Sequence, residues 1–199
     1  MNEPFKMPPK RPPTQAAEGL PRWRWSVAEL ERIAEAGFFT EYDEFELLGG
    51  EMVPMSPEGN RHVIVRVELA FRFSRMASEG LMVAVEPQFN LSSDSYSKPD
   101  ILVHPRVIKT PHLRPADALL LVEVADTSLR YDINTKMPLY AVHRVPEYWV
   151  IHAPTLMTTV HRQPAGNVYA SVEEVSPDEK LVPMLVPELA LSLGALALD

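Results

Sequence analysis

The chain has 199 residues, 46% of them apolar, and a formal net charge of −8. It contains no cysteine, which excludes disulfides, thiolate metal sites and a cysteine nucleophile. The acidic balance counts against strong nonspecific nucleic-acid binding, which depends on phosphate neutralisation by Lys and Arg. Carboxylates gathered in a metal site, however, are counterbalanced when a cation binds.

The length fits a single domain over 22–199, preceded by a proline-rich stretch, 1–21, that reads as a flexible arm. No signal-peptide core and no bilayer-spanning apolar run is visible, so the expectation is a cytoplasmic protein with no membrane partner. Ser26 stands before VAELERIAEAG with Glu29 three residues on. This capping box predicts a short amphipathic helix that stops at Gly37, with Val27, Leu30, Ile33 and Ala34 on one face. FELLGGEMVPM (45–55) predicts a hairpin about Gly49-Gly50, ended by Ser56-Pro57. HVIVRVELAFRFSRMAS (62–78) predicts a long helix with Val63, Val67, Ala70, Phe71 and Ser74 on its inner face. Arg66, Glu68, Arg72 and Arg75 fall mostly elsewhere. Strand-like runs follow at 82–89, 100–105 and 118–126, with the polar turn SSDSYS between the first two. A helix or broken helix follows over roughly 132–143, with Pro138 marking a kink or a new N-terminus. The runs 147–153 and 157–163 predict a strand pair. A further strand or two and a small apolar segment complete the chain. The order predicts an α/β (α+β) fold, a central mixed β-sheet flanked by helices, with an N-terminal helix and β-hairpin added to it.

Three residues carry candidate chemistry. Asp100 opens a strand directly after Pro99. Glu123 interrupts the run Leu-Leu-Leu-Val-x-Val-Ala, where an ionised carboxylate is costly to bury unless something pairs with it. Lys136 lies one turn after Asp132 on the next helical segment, and Tyr140 shares their face if that helix is continuous. Carboxylates on neighbouring strands offer hard oxygen ligands of the kind that suit Mg²⁺ or Mn²⁺. A lysine beside them can hold an attacking water or stabilise charge on a phosphorane. Taken alone, the same pattern also fits an edge glutamate facing solvent and a surface lysine. There is no Gly-rich phosphate loop, no H-x-x-x-H pair and no G-x-S-x-G elbow.

The pieces PD (99–100), VEVADTS (122–128), DINTK (132–136), LYA (139–141) and VPEYWV (145–150), with FELLGGEMVPMSP (45–57) and His62 before them, resemble in order and spacing the bacterial Uma-type family of restriction-endonuclease-like proteins. That family is a branch of the PD-(D/E)XK nuclease superfamily, and the resemblance covers about residues 25–190. It implies a restriction-endonuclease-like fold and a metal-dependent endonuclease that hydrolyses phosphodiester bonds in DNA, leaving a 5′-phosphate and a 3′-hydroxyl. It implies Asp100 and Glu123 as metal ligands, the Val124 carbonyl as a further ligand, and Mg²⁺ or Mn²⁺ as cofactor. The superfamily's usual lysine, two residues after the glutamate, is replaced here by Ala125, and Lys136 on the following helix fits the relocated position. Glu46 and Glu51 match acidic positions ahead of the first core helix, and Glu51 is favoured for the metal shell. His62 matches a family position and can bind phosphate or water. Asp132 can orient Lys136, while Tyr140 reads first as packing. A homodimer that cuts two strands is the implied assembly. The competing expectations are a non-catalytic nucleic-acid-binding or regulatory module on the same fold, and an interaction protein whose charges form a buried ion-pair network.

Overall fold

The computed structural model describes residues 14–15, 21–40, 43–55, 57–109 and 112–198. Most of the expected arm, and Ser56 at the end of the expected hairpin, lie outside the described residues. The chain forms two compact units, Met1–Met55 with Ser93–Ser95, and Ser56–Ser92 with Tyr96–Asp199.

In the first unit, β1 (Thr14–Gln15) pairs antiparallel with β2 (Pro21–Arg22). Helix α1 (Val27–Glu35) starts on the capping box the sequence predicts. The Glu29 amide donates to the Ser26 hydroxyl at 3.2 Å, and the Ser26 amide donates back to the Glu29 carboxylate at 2.7 Å. Its buried face is narrower than expected: Val27 and Leu30 are buried, Ile33 is half-buried and Ala34 is exposed. Strands β3 (Phe45–Leu48) and β4 (Glu51–Pro54) form the hairpin, with φ of 59° at Gly49 and 84° at Gly50. Such angles at both turn positions are why Gly-Gly is found there. At Gly50 a side chain would also come within 2.8 Å of the Arg24 Cβ.

The second unit begins with helix α2 (Asn60–Met76), followed by β5 (Leu81–Val85), β6 (Phe89–Ser92), β7 (Ser95–Ser97), β8 (Ile101–Pro105) and β9 (Leu120–Ala125). A short helix α3 (Leu129–Tyr131), a π-helical turn (Asp132–Lys136) and helix α4 (Met137–Val142) lead to β10 (Glu147–His152), β11 (Thr158–Ala165) and β12 (Val168–Val175). Six strands form one mixed sheet in the order β12-β11-β10-β9-β8-β5. Only β9 and β10 run parallel in it, which requires the helical crossover between them. Every residue of β9 is buried, as expected for a central strand covered on both faces. Leu120, Val122 and Val124 pack with Val65, Leu69 and Phe73 of α2 and with Leu189 and Leu193 near the C-terminus. Leu121 and Ala125, on the other face, pack with Tyr140 and Ala141 of α4.

The expected fold class is therefore present, with two corrections to its elements. The inner face of α2 is Val65, Arg66, Leu69, Ala70 and Phe73, whereas Val67, Phe71 and Ser74 are exposed. A buried arginine replaces an expected valine because its partners come from distant segments. The polar turn SSDSYS holds parts of two strands, β6 and β7. Over 132–143 the broken helix is the alternative realised, with a π-helical turn before α4. The Met137 amide bonds the Asp132 carbonyl five residues back. Pro138 supplies no N–H and its ring crowds the preceding turn, so the ladder resets there. Among the described residues no helix is long and apolar enough to cross a membrane.

Candidate active site

Register sets the two acidic residues on neighbouring strands. Strands β8 and β9 pair Val103 with Leu120 and Ile101 with Val122, so Asp100 and Glu123 are the next opposed positions. The Val124 amide donates to Asp100 Oδ2 at 2.7 Å, which fixes the Asp100 carboxylate against the end of β9. Asp100 and Glu123 are 5% and 4% exposed. Each therefore needs partners, and each finds them on a different helix.

Glu123 faces the crossover. Lys136 Nζ donates to Glu123 Oε1 at 3.0 Å, and the Tyr140 hydroxyl donates to the same oxygen at 2.9 Å. Lys136 also lies 3.9 Å from Asp132 Oδ1, and the Ser128 hydroxyl donates to Asp132 Oδ2 at 2.7 Å. Asp132, Lys136 and Tyr140 all turn inward despite the π-helical turn. Tyr140 is thus more than packing, since its hydroxyl is bonded to the carboxylate. Lys136 Nζ sits 5.7 Å above the Tyr131 ring, a further contact for the buried cation.

Asp100 faces α2. His62 Nε2 is 2.7 Å from Asp100 Oδ1 and 3.3 Å from Glu58 Oε1. A carboxylate only accepts, so Nε2 carries a proton. Burial lowers the His62 pKa, but the hydrogen bond and charge of Asp100 and the charge of Glu58 outweigh it, and the net shift is upward. Arg66 Nη1 donates to Glu86 Oε1 at 2.6 Å, to Asp100 Oδ1 at 3.2 Å and to Glu58 Oε1. The Glu86 amide in turn donates to the Asp100 carbonyl at 3.2 Å, from a backbone with a positive φ of 49°. Burial raises the Glu86 pKa; Arg66 opposes that shift, and Glu58 and Asp100 add to it. Gly59, which caps α2, lies so close to β9 that a Cβ there would meet Asp126 Oδ2 at 2.7 Å.

Glu58, His62 and Asp100 each offer one ligand atom, all within 4.8 Å of one another. Two carboxylate oxygens and an imidazole nitrogen fit a divalent ion once Nε2 gives up its proton, and the nitrogen suits Mn²⁺ better than Mg²⁺. Glu58 and Glu86 went unnoticed in the sequence, and Arg66 was read as lying off the inner face of its helix. For Glu58 a signal existed: it is the acidic residue immediately ahead of α2, four residues before His62. Glu46 and Glu51, read as the acidic positions before that helix, belong to the first unit. Glu46 is buried in β3, and Glu51 opens β4 with a carboxylate oxygen 4.0 Å from Arg22.

Comparison with known proteins places the chain in a family. Residues 27–194 match the model of Uma2, described as "Putative restriction endonuclease". The chain belongs to the Uma2 family. Among solved structures it is similar to a putative nuclease belonging to DUF820 from Anabaena variabilis ATCC 29413, with a TM-score of 0.65 and 16% sequence identity. That match covers 81% of this chain and 94% of the other, and it shows a shared fold. No curated protein matches the chain. The Uma2 segments include every strand of the six-stranded sheet and both helices that supply the buried site residues.

Proposed function

We propose that this Uma2 protein is a metal-dependent endonuclease that hydrolyses phosphodiester bonds in DNA. The observation that carries the reading is a pair of buried carboxylates on neighbouring strands, each with partners of its own: Asp100 is bonded to the Val124 amide and to Arg66, and Glu123 to Lys136 and Tyr140. Burying two carboxylates and an amine in this way carries a large desolvation cost that folding alone does not demand.

In this reading Asp100 and Glu123 hold Mg²⁺ or Mn²⁺, with the Val124 carbonyl as a further ligand. His62 and Glu58 complete the shell on the α2 side, and Glu51 remains a candidate contributor. The ion supplies Lewis-acid stabilisation of the phosphate and a more acidic bound water. Lys136, held by Glu123 and Asp132, positions the attacking water and stabilises charge on the phosphate. Tyr140 keeps the Glu123 carboxylate aimed. Products with a 5′-phosphate and a 3′-hydroxyl, a homodimer that cuts both strands and a cytoplasmic setting belong to the same proposal.

A second reading, a non-catalytic nucleic-acid-binding or regulatory module, has one observation in its favour: Arg66 and Lys136 already neutralise the site's carboxylates from within. A cleavage assay on single- and double-stranded DNA with Mg²⁺ or Mn²⁺ separates the two. The wild type should cut and Asp100→Ala should not. DNA retained without any cutting, under every metal condition, favours the second reading.

A further inference from the structure

We propose that Arg66 is a built-in counter-cation for the α2 side of the site, occupying the place of a divalent ion and competing with it for Glu58 and Asp100. The inference rests on the reading of Asp100 as a metal ligand. The oxygens that Arg66 Nη1 contacts, Glu58 Oε1 and Asp100 Oδ1, are the same two that His62 Nε2 approaches. One guanidinium nitrogen therefore sits among the atoms that would surround an ion, with Glu86 Oε1 as a third carboxylate contact.

The arginine is held there for its charge rather than for full satisfaction of its donors. The residue is 7% exposed, and its Nε is buried with no hydrogen-bond partner. An orphaned buried donor costs stability, and the cost is offset by neutralising three carboxylates that would otherwise repel one another. Arg66 is thus a positioning residue. It keeps Glu58, Asp100 and His62 assembled before metal arrives. Metal binding then requires the guanidinium to give up Asp100 and Glu58, which raises the ion concentration needed to load the site. Once displaced, the guanidinium is free to pair with an anion brought by the ion.

The test is thermal unfolding of the full chain against Mn²⁺ concentration, without substrate. Arg66→Gln should melt lower than wild type in chelator, because its carboxylates lose their counter-charge. It should also need about tenfold less Mn²⁺ for half of the maximal stabilisation, since no internal cation competes. An unchanged or weaker Mn²⁺ response in Arg66→Gln overturns the proposal. Should that variant fail to fold in chelator, Arg66→Lys decides. Its ammonium ends one bond short of the position of Nη1 and holds the three carboxylates less closely, so its Mn²⁺ requirement should also fall, and no fall overturns the proposal. Wild-type protein that cleaves no DNA would defeat the nuclease reading and leave this result standing. Cleavage by wild type, with an identical Mn²⁺ requirement in the Arg66 variants, would do the reverse.

Discussion

At the scale of single residues, the Glu123 carboxylate sets the terms. It is buried in the central strand, and its Oε1 receives both Lys136 and Tyr140. Lys136 is buried as well, so it matters to the fold and not only to the site. Removing one partner of a buried pair leaves an uncompensated charge and costs about 3–5 kcal/mol. Lys136→Met should therefore lower stability in urea by that amount. The double variant Lys136→Met with Glu123→Gln should recover much of the loss, because no charge is then stranded; a double variant as unstable as the sum of the two single ones would refute this. Tyr140→Phe removes one donor to a carboxylate that keeps its lysine, and should cost about 2 kcal/mol in urea unfolding. A change near zero would mean that the hydroxyl only fills space.

At the scale of elements, what could be read from sequence was what depends on near neighbours. The capping box of α1 and the Gly-Gly turn involve residues within a few positions of each other, so their signals survive without tertiary context. The inner face of α2 does not. Arg66 turns inward because Asp100, thirty-four positions on, and Glu86 come to meet it. Hydropathy cannot anticipate that. The Glu123–Lys136 pairing was visible chiefly through the ordered family motifs, since a π-helical turn separates Asp132 from the regular helix. Glu147 of β10 shows the same logic in a purely structural role. Its side chain is fully buried and accepts from Trp149 Nε1 at 2.8 Å, Arg162 Nε at 2.9 Å and the Met184 amide at 2.6 Å. It thereby ties the segment after β12 to the sheet. Glu147→Ala strands three donors at once and should cost about 3 kcal/mol or more. The Met184 amide should lose hydrogen-exchange protection to a greater degree than amides of β9. Equal loss at both would mean the variant weakens the whole fold rather than the anchor.

At the scale of the whole molecule, a net charge of −8 means that an anionic polymer is drawn in by local cations and not by the overall field, so binding should weaken steeply with salt only where those cations contact phosphate. Acidification changes this balance and also reaches the core. His161 on β11 is 2% exposed and stacks on Tyr148 at 5.4 Å between ring centroids. Its Nδ1 lies 3.2 Å from the Tyr148 carbonyl, which can only accept, so Nδ1 bears the proton of a neutral ring. Burial lowers its pKa from the ordinary 6.5, and hydrogen bonds to the Tyr148 and Thr159 backbone offset part of that shift. Between the lowered folded value and 6.5 the unfolded chain binds more protons than the folded one, so stability rises with pH through that window. His161 thus imposes no penalty above pH 6.5, and its charging favours unfolding as the pH falls below that value. His161→Asn keeps a side-chain donor for the carbonyl and removes the titration. Melting temperatures measured from pH 7.5 to pH 5, a range chosen to span about one unit either side of an ordinary histidine, should fall less steeply in His161→Asn than in wild type. Parallel slopes in the two proteins would assign the acid sensitivity to other groups, the carboxylates around Arg66 first among them.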